Sequence, residues 1–142
     1  MSVPLRKIDP EAEKILAERF GRDAVIALAT IENGAPSVRY VNACYENGAF
    51  YIITYARSGK MRQIAADKRV AIAGEWFTAH GVGENLGSFG KEENRELAER
   101  LRTVFAGWID NGHSDLNDEN TIILRVELTD GLLLSHGVRY EL

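Results

Sequence analysis

A single cysteine, Cys44, stands among the 142 residues, so no intrachain disulfide can form and a reducing compartment suits the chain. No run approaches the ~20 consecutive apolar residues with which a helix spans a bilayer, and Met1 to Arg6 lacks the apolar stretch of a secretory signal. These absences set the expectation of a cytoplasmic, soluble protein with no membrane partner. A basic excess is also missing. The formal net charge is −4, which argues against nucleic acid as a partner. His80, His113 and His136 are too scattered for a metal-ligand motif, so no metal is expected. No repeat, linker or low-complexity segment divides the chain. With 45% hydrophobic and 27% charged residues, it reads as one domain over 1–142, long enough to bury a core without staples.

Turn and cap signals then organise the sequence. Asp9-Pro10-Glu11 starts a helix with an N-cap aspartate and proline at the first helical position. Ala12, Ile15, Leu16 and Phe20 form its apolar face, and Gly21 is placed to end it. Ala24 to Ile31 is a continuous apolar run, read as a strand buried on both faces. Asn33-Gly34 and Asn47-Gly48 are hairpin signals, giving three antiparallel strands in a meander. Lys60 to Ala66 predicts a short helix with Met61, Ile64 and Ala65 inward, and Arg69 to Phe77 a further strand. Thr78 to Leu86 continues as its neighbour, with Gly81 and Gly83 marking a bulge or close backbone approach. Lys91 to Ile109 predicts the longest helix, with Leu97, Leu101, Val104, Phe105 and Trp108 as the stripe packed on the sheet. After a polar loop over 110–120, two strands are expected, Thr121 to Leu128 and Leu132 to Tyr140, joined at Thr129-Asp130-Gly131. The expected fold is mainly β (α+β): a six- to seven-stranded antiparallel barrel with flanking helices over its ends.

The chemistry concentrates between residues 35 and 64. Arg39 lies in one strand, Thr54 ends the next, and Ser58-Gly59-Lys60 opens a helix. A guanidinium fork, hydroxyl donors, an ammonium and free amides at a helix N-terminus are the parts a phosphate group needs. The surrounding stretch is a basic island, with Arg57, Lys60, Arg62, Lys68 and Arg69 against the single acid Asp67. Such an island on an acidic protein suits a small anionic ligand. Taken alone, Arg39 can be an exposed cross-strand partner, and Ser58 and Lys60 can be a solvated cap. A lysine in a first helical turn opposes the helix dipole, however, unless an anion is near. Glu92, Glu93, Glu96 and Glu99 read as the solvated face of a helix, and Cys44 as a small buried residue.

The ordered set of motifs resembles the pyridoxamine 5′-phosphate oxidase-like, FMN-binding split-barrel superfamily over roughly residues 10 to 142. It consists of Leu28-Ala29-Thr30, Gly34-Ala35-Pro36, Arg39-Tyr40-Val41, the run from Phe50 to Lys60, Lys68-Arg69-Val70-Ala71 and the closing Gly137 to Leu142. The resemblance implies FMN as cofactor, with its phosphate held by Arg39, Thr54, Ser58 and Lys60. It places Tyr40, Val41 and Asn42 by the ring system and Ile53 in the pocket lining. It also implies a homodimer with flavin at the subunit interface. Gly59 stands where the oxidase proper has a second base, and Arg57 is the candidate to replace it. Cys44 stands where the oxidase has a further lysine, and the oxidase's Arg-x-His has no match in Ser135 to Leu142, so vitamin B6 oxidation is not expected. Trp76 and Trp108 fit core or interface packing; Trp76, beside the glycine-rich segment, is the better placed for a flavin ring.

The resulting expectation is a flavin-dependent oxidoreductase passing hydride or electrons between a small donor, such as a reduced nicotinamide, and a small acceptor. The alternative is a non-catalytic flavin or haem carrier on the same fold, in which His80 or His136 would be the haem's axial ligand. A cofactor-free barrel with a decayed site is the third reading, kept open by Gly59.

Overall fold

The computed structural model describes residues 8–112 and 114–142; the readings of Met1 to Arg6 and of His113 fall outside them. Helix α1 (Pro10–Phe20) begins as expected, with Asp9 accepting hydrogen bonds from the amides of Glu11 and Ala12. Strands β1 (Ala24–Glu32), β2 (Ala35–Glu46) and β3 (Ala49–Tyr55) form the meander. Both Asn-Gly pairs take positive φ (51° and 80°, then 48° and 87°), the two-residue turn whose twist matches a hairpin. Next come α2 (Gly59–Ala66), β4 (Arg69–Gly74), β5 (Phe77–Ser88), a 3₁₀ turn (Glu92–Asn94), α3 (Arg95–Val104), β6 (Thr121–Ser135) and β7 (Val138–Glu141).

The sheet order is β3-β2-β1-β4-β5-β6-β7, and β3 also pairs with β6. Six antiparallel strands therefore close a barrel, and β7 extends it as a seventh strand beside β6. The seam between β1 and β4 is short, pairing only Ala27–Ala29 with Ala71–Ala73. Inside the barrel, Ile26, Leu28, Phe50, Ile52, Ile72, Leu124, Val126 and Leu133 are buried. Helix α1 closes one end, where Phe20 meets Phe50 and Phe77. Helix α2 lies across the other, with Ile64 so close to Gly83 that a Cβ there would stand 3.0 Å from it. Helix α3 packs outside, with Leu101 and Phe105 in a second apolar cluster with Cys44, Tyr51, Ile53 and Ile123.

Several expectations are corrected. The last hairpin turns at His136-Gly137 (φ 49° and 76°) and not at Thr129-Asp130-Gly131. Strand β6 runs through that triplet, which instead supplies the extra residue where the β5–β6 register shifts between His80 and Gly81. The strand from Arg69 ends at Gly74, because Glu75 and Trp76 form the β4–β5 turn. The 91–109 segment is a 3₁₀ turn, ten residues of α-helix and further turns, so α1 with eleven residues is the longest helix described. In α2 Ala65 is exposed, and Gln63 takes the inward place beside Met61 and Ile64. Strand β1 is buried on one face only, at Ile26, Leu28 and Thr30. Its outer face carries Val25, Ala27 and Ala29, which no element of the same chain covers fully. The expected bulge at Gly81 is present.

Candidate functional site

Cross-strand pairing decides where Arg39 points. It lies opposite Leu28, and Ser37 opposite Thr30, so both share the inner face of the sheet with two buried residues of β1. From there the guanidinium meets four acceptors. Nη1 donates to the Leu28 carbonyl (3.1 Å) and Thr30 Oγ1 (2.8 Å). Nη2 donates to Gln63 Oε1 (2.9 Å) and Ser37 Oγ (3.3 Å). The Thr30 hydroxyl in turn donates to Gln63 Oε1. All four acceptors are neutral.

Lys60 comes from the first turn of α2 and donates to Thr54 Oγ1 at 2.6 Å. Thr54 follows Ile52 on the inner face of β3, which brings its hydroxyl to the α2 end of the barrel. Burial holds the Lys60 ammonium below its ordinary value, and the nearby Arg39 charge pushes it further the same way. Burial lowers Arg39 as well. Among the described residues, neither cation has a carboxylate partner. Two partly buried like charges thus lie near one another, a repulsion that a bound anion would relieve.

Ser58 caps α2, its hydroxyl oxygen accepting from the Met61 amide at 3.4 Å while its proton stays available for donation. The first-turn amides of Gly59 and Lys60 have no intrahelical acceptor. A side chain at Gly59 would meet only Arg62 and Gln63, both at 3.9 Å, so the missing second base is a matter of sequence and not of space. Arg57 stands exposed in the turn before α2.

The remaining candidates do not join this cluster within one chain. Strand alternation puts Val41 inward with Arg39, packed on the core, but sends Tyr40 and Asn42 to the outer face. Tyr40 is 81% exposed, and Asn42 donates to Asp23 at 3.0 Å. Ile53 faces α3 on the side of β3 opposite Thr54. Trp76, with φ 52° and 68% exposed, sits in the turn at the end of β4 opposite α2. On the outer face, the small side chains Ala27, Ala29, Ala71 and Ala73 of the seam leave a groove of about 600 Å³. His80 lines it, its Nδ1 2.9 Å from Asp130. His136 stands in the last hairpin turn.

Three residues of the cluster were missed by sequence reasoning. Gln63 was detectable as the polar member of an inward helix face, and Thr30 as the polar member of the inward series 26, 28, 30. Ser37 shares Arg39's face by strand period alone.

A barrel of this topology with a cationic end defines a class, and comparison with known proteins agrees. The profile described as pyridoxamine 5′-phosphate oxidase matches residues 8–132, and the chain belongs to that family. Solved structures share the fold at low sequence identity. A FAD-binding protein from Mesorhizobium loti is 15% identical at a TM-score of 0.67, over 89% of this chain and 94% of that one. General Stress Protein 26 from Bacillus anthracis is 13% identical at 0.66, over 85% and 92%. A NimC/NimA family protein from Clostridium acetobutylicum is 20% identical at 0.61, over 92% and 94%. No curated protein matches the chain. None of the described helices is long and apolar enough to cross a membrane.

Proposed function

We propose that this protein is an FMN-binding flavoprotein, a homodimer that works as an oxidoreductase on a small substrate. The observation that carries the reading is Arg39 near Lys60, both partly buried and, among the described residues, neither matched by a carboxylate. A terminal phosphate monoester, carrying close to two negative charges near neutral pH, matches that pair. Arg39 and Lys60 neutralise it, while Thr54, Ser58 and the amides of Gly59 and Lys60 direct donors at its oxygens. Bound FMN would supply two-electron hydride chemistry. The chain's task is then to bind, orient and exclude water, and hydride transfer requires no paired acid and base of its own. Family membership supports the flavin, and the absence of the oxidase's Arg-x-His argues for a substrate other than vitamin B6.

The outer groove and the exposed Val25, Val38 and Tyr40 support the dimer. A second copy laid on this face would bury them and bring outer-face residues of one chain, Tyr40 among them, to the flavin of the other.

An absorbance spectrum of the purified protein, with chromatography of the material released by heat, tests the cofactor. Flavin bands with FMN in the supernatant are expected, together with a sedimenting mass near twice 15.8 kDa. Catalytic oxidation of a reduced nicotinamide with an added acceptor separates the enzyme from a carrier, which would show bound flavin and no turnover. A colourless protein that takes up no added FMN refutes the reading.

A further inference from the structure

The partners of Arg39 are unusual in what they exclude. A partly buried arginine normally meets a carboxylate, and here an acid is close at hand: Glu32, on the same strand as Thr30. Glu32 does not reach the guanidinium. Its carboxylate accepts from Gln63 Nε2 at 3.2 Å, and Gln63 presents its other end, Oε1, to Arg39. The orientation of the amide is fixed from both sides. Oε1 accepts from Arg39 and Thr30, both donors, and Nε2 faces an acceptor that cannot donate when ionised. Gln63 is itself only 8% exposed and Thr30 only 1%, so neither is a casual surface contact.

We infer that Gln63 is a positioning residue that acts as a charge insulator. It fixes Arg39 with a neutral acceptor and holds Glu32 off it, so that the full cationic charge is kept for a dianionic ligand. This rests on the proposed anion site and names what that site selects, a phosphorylated ligand over its dephosphorylated form. A carboxylate and an incoming phosphate would compete for the same guanidinium. A carboxylate on Arg39 would supply the counter-charge internally, satisfying the guanidinium better in the empty protein and leaving less to gain from an incoming phosphate. A neutral acceptor fixes the geometry without cancelling the charge. The empty site is then less stable than it could be, and that deficit becomes selectivity when the ligand binds. Thr30 and Ser37 follow the same rule, since both present hydroxyl oxygens.

The test compares wild type, Gln63→Glu, Gln63→Met and Ser37→Asp. Each is measured for its thermal shift in inorganic phosphate and for its affinities for FMN and riboflavin. Ser37→Asp should fold at least as stably as wild type without ligand, whereas Gln63→Glu sets a carboxylate against Glu32 and should lose some unliganded stability; both should lose the phosphate-dependent shift. Their FMN affinity should fall about ten- to a hundredfold, the worth of a charged hydrogen bond, while riboflavin affinity changes little. Gln63→Met loosens Arg39 without neutralising it, so its loss should be clearly smaller. Equal losses in Gln63→Glu and Gln63→Met would reduce Gln63 to a packing role and overturn the inference. An unchanged ratio of FMN to riboflavin affinity in Ser37→Asp would overturn it too, and that variant carries the test if Gln63→Glu does not fold. A wild type stabilised by phosphate but blind to FMN would defeat the flavin reading and leave the insulator standing. A wild type indifferent to phosphate and to FMN would defeat both.

Discussion

Burial beside Arg39 gives Lys60 a signature that pH-dependent stability can measure. Its ammonium is disfavoured in the fold, by burial first and by Arg39 second, so the unfolded chain holds that proton to higher pH than the folded one. The sign follows. Stability lost to the buried charge at neutral pH is regained as pH rises through the folded-state value toward the ordinary 10.5. Urea unfolding of wild type and Lys60→Met across that window should show the wild type gaining on the variant as pH rises, with a bound phosphate flattening the difference. Parallel curves would mean that Lys60 is not strained. At this scale the sequence was informative about residue types and less so about direction. Arg39, Thr54, Ser58 and Lys60 stand out as candidates because phosphate chemistry demands such groups near a helix start. The family resemblance places Tyr40, Val41 and Asn42 together by the ring system, whereas strand alternation keeps Val41 on Arg39's face and sends Tyr40 and Asn42 to the other. Gln63 went unnoticed because a lone glutamine carries no charge signal.

Among the elements, the β5–β6 bulge brings two backbones into close approach at Gly81. A Cβ at Gly81 would stand 2.7 Å from the Glu127 carbonyl oxygen and 2.9 Å from Val126 Cγ1. Neither atom can retreat without opening a strand pair or a packed core. Gly81→Ala should therefore lose about 1–3 kcal/mol of unfolding free energy in a denaturant titration, the usual cost of overpacking. A neutral substitution would show that the bulge has slack. Elements with their own local chemistry were readable: the Asp9-Pro10 helix start and both Asn-Gly turns sit where the sequence put them. The final hairpin was misplaced because two turn-like signals compete within nine residues. Thr129-Asp130-Gly131 looks the stronger locally, but β6 gains more by running on to pair with both β5 and β7. Only long-range pairing settles that choice. Helix α3 was overextended for a related reason: its apolar stripe continues past Val104 to Phe105 and Trp108, although the backbone there has left the helix for turns.

For the molecule as a whole, the two ends of the barrel and its outer face have different tasks. Helix α1 seals one end with aromatic packing, while α2 carries cations and unpaired amides to the other. The outer face of the β1–β4 seam is lined by methyl groups and is open. The uninterrupted apolar run in β1 suggested a strand covered on both sides, and one chain covers only one of them. The proposed second copy of the chain would cover that face and would account for both the run and the groove. The function proposed for the molecule depends on Arg39 and Lys60 holding the FMN phosphate. Equilibrium titration of the flavin-free protein with FMN, in wild type and Lys60→Ala, tests it most directly. Saturable binding is expected in wild type, weakened in Lys60→Ala by about 1.5–3 kcal/mol, the range for a lost charged hydrogen bond. Equal affinity in the two proteins would remove Lys60 from the site and leave the FMN phosphate without its proposed partner.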